Sequence, residues 1–278
     1  MPRQSTLEET RPSGHGRARG LVSSRASGRR IESRTYAPPS ALADLVECFW
    51  IGRWDLPADA PHVTELLGDP AMHVCFEAGA SRIVGVWTRL WRRELAGRGQ
   101  VRAAKLRVGA ARHLLPLPAW RYTNRILPID DVLPGAAALE RDVLAPAADD
   151  EAFATLARWL ETQRRDVEAP DDVALAVAAA RAIAEDPSLA RVEALAKQLR
   201  VHLRELQRVF RAHVGATPKH VIRRTRLQEV ALRLERGDAV SLSRLAAELG
   251  YADHAHLARD FKGATGRSPS AFGRDVWR

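Results

Sequence analysis

One pattern occurs twice in the last third of the 278-residue chain, and it limits the fold more than any other feature. Leu195-Ala196-x-x-Leu199, Leu206-x-Arg208-x-Phe210 and Gly215-x-Thr217-Pro218 return as Leu245-Ala246-x-x-Leu249, Leu257-x-Arg259-x-Phe261 and Gly266-x-Ser268-Pro269. Such a repeat marks a duplicated structural unit. Leu195, Ala196 and Leu199 share one helical face, and Leu206, Val209 and Phe210 share another after a break, so each copy predicts two short helices packed together. In the second copy Leu242, Leu245, Ala246 and Leu249 form the first stripe, Gly250-Tyr251-Ala252-Asp253 the turn, and His254 to Thr265 the second helix. Gly250 suits the left-handed end of a helix and Asp253 suits the cap of the next, which makes each copy a helix-turn-helix.

The outward side of each second helix suggests what the unit does. Copy one carries Arg204, Gln207, Arg208 and Arg211 there; copy two carries His254, Ala255, Ala258, Arg259 and Lys262. Arg bonds the acceptors on the edge of guanine, Gln pairs with adenine, and Arg or Lys neutralises phosphate. A single basic face would read as a solvated surface, but two aligned copies favour DNA. Between them Thr217-Pro218 opens a long helix that Gly237 is expected to close, with Val221, Ile222, Val230, Ala231 and Leu234 as its apolar stripe and Arg223, Arg224 and Arg226 largely off it. Holding the two outward helices about 34 Å apart, one duplex turn, would let both enter successive major grooves.

Residues 172–272 resemble the DNA-binding domain of the AraC/XylS family of bacterial transcription regulators. The resemblance is carried by the duplicated L-x-R-x-F and G-x-[ST]-P, by Arg226-Leu227, and by Gly250-Tyr251-Ala252-Asp253 with His256. It implies base reading by Arg204, Gln207 and Arg208 in the first unit and by His254, Ala255, Ala258 and Arg259 in the second. Two departures stand out: His202 replaces the usual serine cap, and the two alanines can touch a thymine methyl but donate no hydrogen bond. The first unit is therefore expected to supply most discrimination, with Arg259 and Lys262 anchoring the second.

Charge divides the chain in the same way. Lys and Arg exceed Asp and Glu by 5 over residues 1–34 (8 against 3), fall short by 2 over 35–170 (16 against 18), and exceed by 6 over 171–278 (19 against 13). Residues 1–35, rich in Arg, Ser and Gly and almost without large apolar side chains, read as a disordered basic tail. Residues 36–165 hold six of the seven tryptophans and read as a β-rich sensor or oligomerisation domain, with 166–171 as linker and 172–278 as the DNA-binding domain. Strands are expected over Met72–Phe76, Ile83–Trp87 and Ala103–Val108, an early helical stretch over Leu42, Leu45 and Val46, and a helix over Asp149–Arg164.

Leu45-Val46-Glu47-Cys48-Phe49-Trp50, Leu67-Gly68-Asp69-Pro70 and Leu127 to Leu133 also resemble an uncharacterised domain often found ahead of AraC-type segments. That resemblance implies a cupin-like barrel or sandwich, although Leu106-Arg107-Val108-Gly109 stands where that domain tends to have Phe-Arg-Pro-Gly. The expected class is thus α+β: a β-rich, cupin-like N-terminal domain followed by an all-α domain of two helix-turn-helix units joined by a long helix. A small-molecule effector site would draw on Trp50, His73, Trp87, Arg107 and Trp120.

Other chemistries find less support. His73 and Cys75 share a strand face, with His62 and His113 elsewhere, but two ligands fall short of the three or four that zinc wants; no metal or cofactor is expected. No nucleophile elbow, P-loop or dinucleotide fingerprint occurs, which sets aside most enzyme classes. The alternatives are a DNA-repair-type enzyme fused to a helix-turn-helix, for which Cys48 and Cys75 sit in apolar strand-like or helical surroundings, and a protein-interaction factor without DNA binding. The leading expectation is a cytoplasmic, non-enzymatic, sequence-specific regulator, with double-stranded DNA, RNA polymerase, an effector and a second copy as partners, and no membrane.

Overall fold

In the computed structural model the described residues are 31–57, 59–68, 70–236 and 241–277. Residues 1–30 of the expected tail, and Gly237, lie outside them. Alternation decides the N-terminal half. Along Val46–Asp55, Phe49 and Ile51 belong to the main core, while Trp54, with Trp50 against it, belongs to a cluster on the opposite side. A segment buried on both sides with period two is a strand, so Val46 opens a strand where a helical stretch was expected, and only Ser40–Leu42 forms a 3-10 turn.

The strands are β1 (Ile31–Tyr36), β2 (Val46–Asp55), β3 (His62–Leu67), β4 (His73–Phe76), β5 (Arg82–Val84), β6 (Leu90–Leu95), β7 (Arg98–Leu106) and β8 (Ile126–Pro128). Six form one antiparallel sheet in the order β1-β2-β7-β4-β5-β8, and β3 pairs with β6 in a separate ribbon. The sheet is open: β1 and β8 each pair on one side only, so the cupin-like barrel is not found among the described residues. Closure is unnecessary because other elements cover the faces. Residues 31–35, assigned from sequence to the tail, belong to edge strand β1.

Helices α1 (Ile129–Val132), α2 (Glu140–Leu144) and α3 (Asp149–Thr162) follow. α3 lays Phe153, Leu156 and Leu160, all fully buried, on the sheet, with Phe153 stacked on Phe49 at 5.2 Å between ring centroids. Its first turn is also anchored by charge. Buried Arg102 donates to the carbonyls of Val143 (2.7 Å) and Pro146 (2.9 Å) and to Asp149 (2.8 Å), which also accepts from Tyr36 (2.8 Å).

The C-terminal half is helical: α4 (Pro170–Glu185), α5 (Val192–Leu199), α6 (Leu203–Val209) running into a π turn over Phe210–Val214, α7 (Pro218–Arg236), α8 (Leu242–Glu248), α9 (His254–Thr265) and α10 (Pro269–Trp277). One apolar core runs without a break from Phe49 and Phe153 through Leu195 and Leu206 to Phe210 and Ile222. A second core gathers Leu227, Leu245, Leu257, Phe261 and Phe272, together with Leu67 of β3. Arg224 and Arg226, placed from sequence off the apolar stripe, are buried at 6% and 9% exposure, because α7 is enclosed by α4, α5 and α10. The Arg226 guanidinium is accommodated on the Tyr251 ring, 3.7 Å from its centroid. Among the described residues no helix is long and apolar enough to cross a membrane.

Candidate nucleic-acid interface

Both repeats fold as read. In the first, Leu206, Val209 and Phe210 are fully buried while Arg204, Gln207, Arg208 and Arg211 are exposed. Positions i, i+3, i+4 and i+7 of one helix make a single outward ridge. In the second, Leu257 and Phe261 are buried, His254, Arg259 and Lys262 are exposed, and Ala255 and Ala258 are half-buried between them.

The two helices begin differently. Asp253 caps α9, accepting from the His256 amide at 2.6 Å, and Gly250 takes φ +67° at the preceding turn. At α6 the cap residue His202 is extended (φ −72°, ψ 144°) and its side chain accepts no bond, so the first turn lacks the side-chain partner that a serine would supply. The long connecting helix α7 has its cap, since Thr217 Oγ1 accepts from the His220 amide at 3.2 Å.

Electrostatics separates the ridge residues. Arg208 donates from both terminal nitrogens to Asp172 in the first turn of α4, at 2.5 and 2.9 Å, and these bonds hold the Asp172 carboxyl below its usual range. Buried His213 lies 3.9 Å from the same carboxylate, and burial pushes its imidazole down. Arg211 stands over the indole of Trp120, 5.1 Å from its centroid. Among the described residues no carboxylate lies within ion-pair reach of Arg204, Arg211, Arg259 or Lys262, whereas Arg223 of α7 is held by Asp260 of α9 at 2.6 Å. Asp260 also accepts from Tyr251 at 3.0 Å, and burial raises that phenol's pKa far above its usual value.

Contacts not legible in the repeat tie each unit to the N-terminal half. Thr123 donates to the Gly215 carbonyl at 2.6 Å, and Gly215, at φ +79°, sits so close that a β-carbon would lie 2.9 Å from the Ala119 carbonyl oxygen. On the second unit, Glu65 of β3 accepts from Arg267 at 3.0 Å and Arg92 at 2.7 Å, beside Leu67 in the shared core. Asp172 and Glu65 escaped the motif reading because neither lies in either copy, and Trp120 was read as an effector candidate and not as a neighbour of the first repeat. The acidic first turn after Pro170 reads only as an ordinary helix start.

Of the five effector candidates, the structure brings Trp50 and His73 together. Trp50 donates to His73 Nδ1 at 3.0 Å across the sheet, Arg107 is bonded to the Ala43 carbonyl at 3.0 Å, and Trp120 lies beside Arg211 of the first repeat. A groove of about 1100 Å³ is lined instead by Arg53, Trp54, Glu77, Arg98 and Gln100 among others, and by none of the five. Cys75 is buried, and burial pushes its thiol up to about 11, so it is no poised nucleophile.

Comparison with known proteins agrees with the repeat. Residues 195–275 match a family described as a helix-turn-helix domain, and residues 34–128 match a domain of unknown function, DUF6597. The chain is similar to the HTH-type transcriptional activator RhaS of Pectobacterium atrosepticum, 34% identical over 77 residues that cover 28% of this chain and 27% of the relative. It is also similar to an uncharacterized HTH-type transcriptional regulator of Haemophilus influenzae, 31% identical over 85 residues covering 31% and 28%. The matched segment thus spans only about a quarter of the length of these curated relatives. Among solved structures, ToxT from Vibrio cholerae aligns over 89% of this chain and 98% of its own at 11% identity and a TM-score of 0.39. The C-terminal domain of AraT from Geobacillus stearothermophilus covers 34% of this chain and 80% of its own, at 24% identity and a TM-score of 0.33. The chain thus carries a C-terminal segment that matches a helix-turn-helix domain, as in HTH-type transcriptional regulators, behind a segment that matches the DUF6597 domain.

Proposed function

We propose that the chain is a sequence-specific transcription regulator whose residues 172–278 read two adjacent major-groove segments. The observation that carries this reading is the exposed row Arg204–Gln207–Arg208–Arg211 on a helix whose opposite side is fully buried. Burial orients the row, and the donors it presents match base edges and phosphates. Arg204, Gln207 and Arg208 discriminate bases, while His254, Ala255, Ala258, Arg259 and Lys262 secure the second segment. Arg208 must share or trade its bonds to Asp172 when it meets guanine, so Asp172 tunes how readily that base is read.

Control passes through the N-terminal domain, which grips both units. An effector, a second copy of the chain and RNA polymerase are the partners that would use this connection. Selecting bound fragments from a random DNA pool tests the proposal. A recurring two-part motif, with affinity that falls steeply as salt rises, is the expected result. Fragments with no shared motif, or no salt-sensitive binding, would overturn it.

A further inference from the structure

A Trp-Arg cluster of the N-terminal domain flanks the first recognition helix. The 3-10 turn Ala119–Arg121 packs beside the π turn that ends that helix, fixed there by the Thr123–Gly215 bond. Trp120 keeps 39% of its surface exposed although it belongs to a folded turn. Two guanidinium groups share its ring, Arg121 at 4.4 Å and Arg211 at 5.1 Å from the centroid. Arg125, also exposed, donates to the Arg121 carbonyl at 3.2 Å. Among the described residues no carboxylate lies within ion-pair reach of Arg121, Arg125 or Arg211, and Asp172 on this side is already engaged by Arg208. Like charges gathered on one indole, with no internal counter-charge, are best offset by an anion from outside.

The helix dictates which anion. Arg211 follows Arg204 by seven residues, so it lies about 10 Å further along the axis, close to the width of a major groove of about 12 Å. A helix whose Arg204 end meets base edges therefore brings Arg211 to the groove wall, where the sugar-phosphate backbone runs, and Trp120 of the 119–125 segment lies against Arg211 there. The geometry points to Arg121 and Arg125, with Trp120 as their platform, as a third DNA-contact element: a clamp on the backbone phosphates flanking the first unit's half of the site. This inference rests on the DNA-binding reading above, and assigns to the N-terminal domain a direct share in the contact.

The test uses the full chain, the DNA motif obtained by selection, and the double variant Arg121→Ala/Arg125→Ala, with thermal unfolding as the check that it folds. The expected result is binding weakened about three- to tenfold near physiological salt, equally for matched and mismatched sequences, with the log–log salt slope reduced by about one to two. Arg121→Lys/Arg125→Lys retains most of the affinity, and the Ala variant loses nothing on a duplex trimmed at that flank. Wild-type affinity and slope in a folded Ala variant, tighter binding, or a deficit that persists on the trimmed duplex would each overturn the clamp. In those cases Arg204→Ala still impairs sequence selectivity, so the regulator reading survives. Absence of DNA binding by the wild-type chain would overturn both.

Discussion

The two helix-turn-helix units share a sequence pattern but not a setting. The first is built into the main core, with Leu195, Leu206 and Phe210 in one apolar cluster with Phe49 and Phe153 of the N-terminal half. The second has its own small core around Leu257, Phe261 and Phe272, joined to the N-terminal half by Leu67 and the Glu65–Arg267 pair. Their outward faces differ in the opposite sense. The deeply anchored unit presents the donor-rich ridge, and the lightly anchored one presents two alanines between His254 and Arg259. The proposed roles would suit this division: discrimination by the first unit needs fixed donor positions, whereas phosphate attraction by the second tolerates displacement.

Truncating the equivalent phenylalanines would break this comparison most forcefully. Phe210→Ala and Phe261→Ala are each expected to cost about 3–5 kcal/mol. The first should speed amide hydrogen exchange in both halves, and the second mainly in α8 to α10. Equal spread of exchange in both variants would mean that the units are anchored alike.

Next in size is the contrast in recognition. Arg208→Ala is expected to lose about 1–3 kcal/mol of discrimination at one base pair, while Arg259→Ala weakens all sequences alike and lowers the salt slope by about one. Competition binding on single-substitution duplexes reads both, and the reverse pattern would transfer the reading role to the second unit.

A cap exchange sharpens the comparison further. His202→Ser supplies α6 with the side-chain acceptor it lacks and should stabilise by about 1 kcal/mol, whereas Asp253→Ala removes an existing cap and should cost about as much. Denaturant titration measures both, and no gain from His202→Ser would mean that another group already satisfies the first turn.

The smallest effect concerns pH. Burial pushes the His213 and His220 imidazoles down, so the unfolded chain binds protons that the folded chain refuses. Their neutral forms cost nothing above the unfolded pKa of about 6.5, and stability falls as pH drops below it. The thermal midpoint should therefore decline from pH 7 toward pH 5, and less so in His213→Gln; an unchanged decline would place the titration elsewhere.

Legibility followed the range of the contacts. The helices of both repeats, the Asp253 and Thr217 caps and the outward ridge were readable because they depend on residues three or four apart. The helix over Asp149–Thr162 was readable for the same reason. The N-terminal half was readable only in fragments. Val46 was misread as helical because a strand buried on both sides shows little polar alternation, and β3 and β6 were missed because charged Glu65, Arg92, Arg93 and Glu94 interrupt any apolar alternation. The open sheet, in place of a barrel, depends on strand pairing that no local pattern specifies.

By itself, then, the sequence determined a duplicated helical hairpin, its buried leucines and its basic outward row, since periodicity and capping are local consequences of backbone geometry. Only the tertiary structure decided that Arg208 meets Asp172, thirty-six residues away, that Thr123 meets Gly215 across ninety-two, and that Arg224 and Arg226 are enclosed. Such partners are chosen by how separate elements pack, and packing between distant segments leaves no periodic trace in the chain.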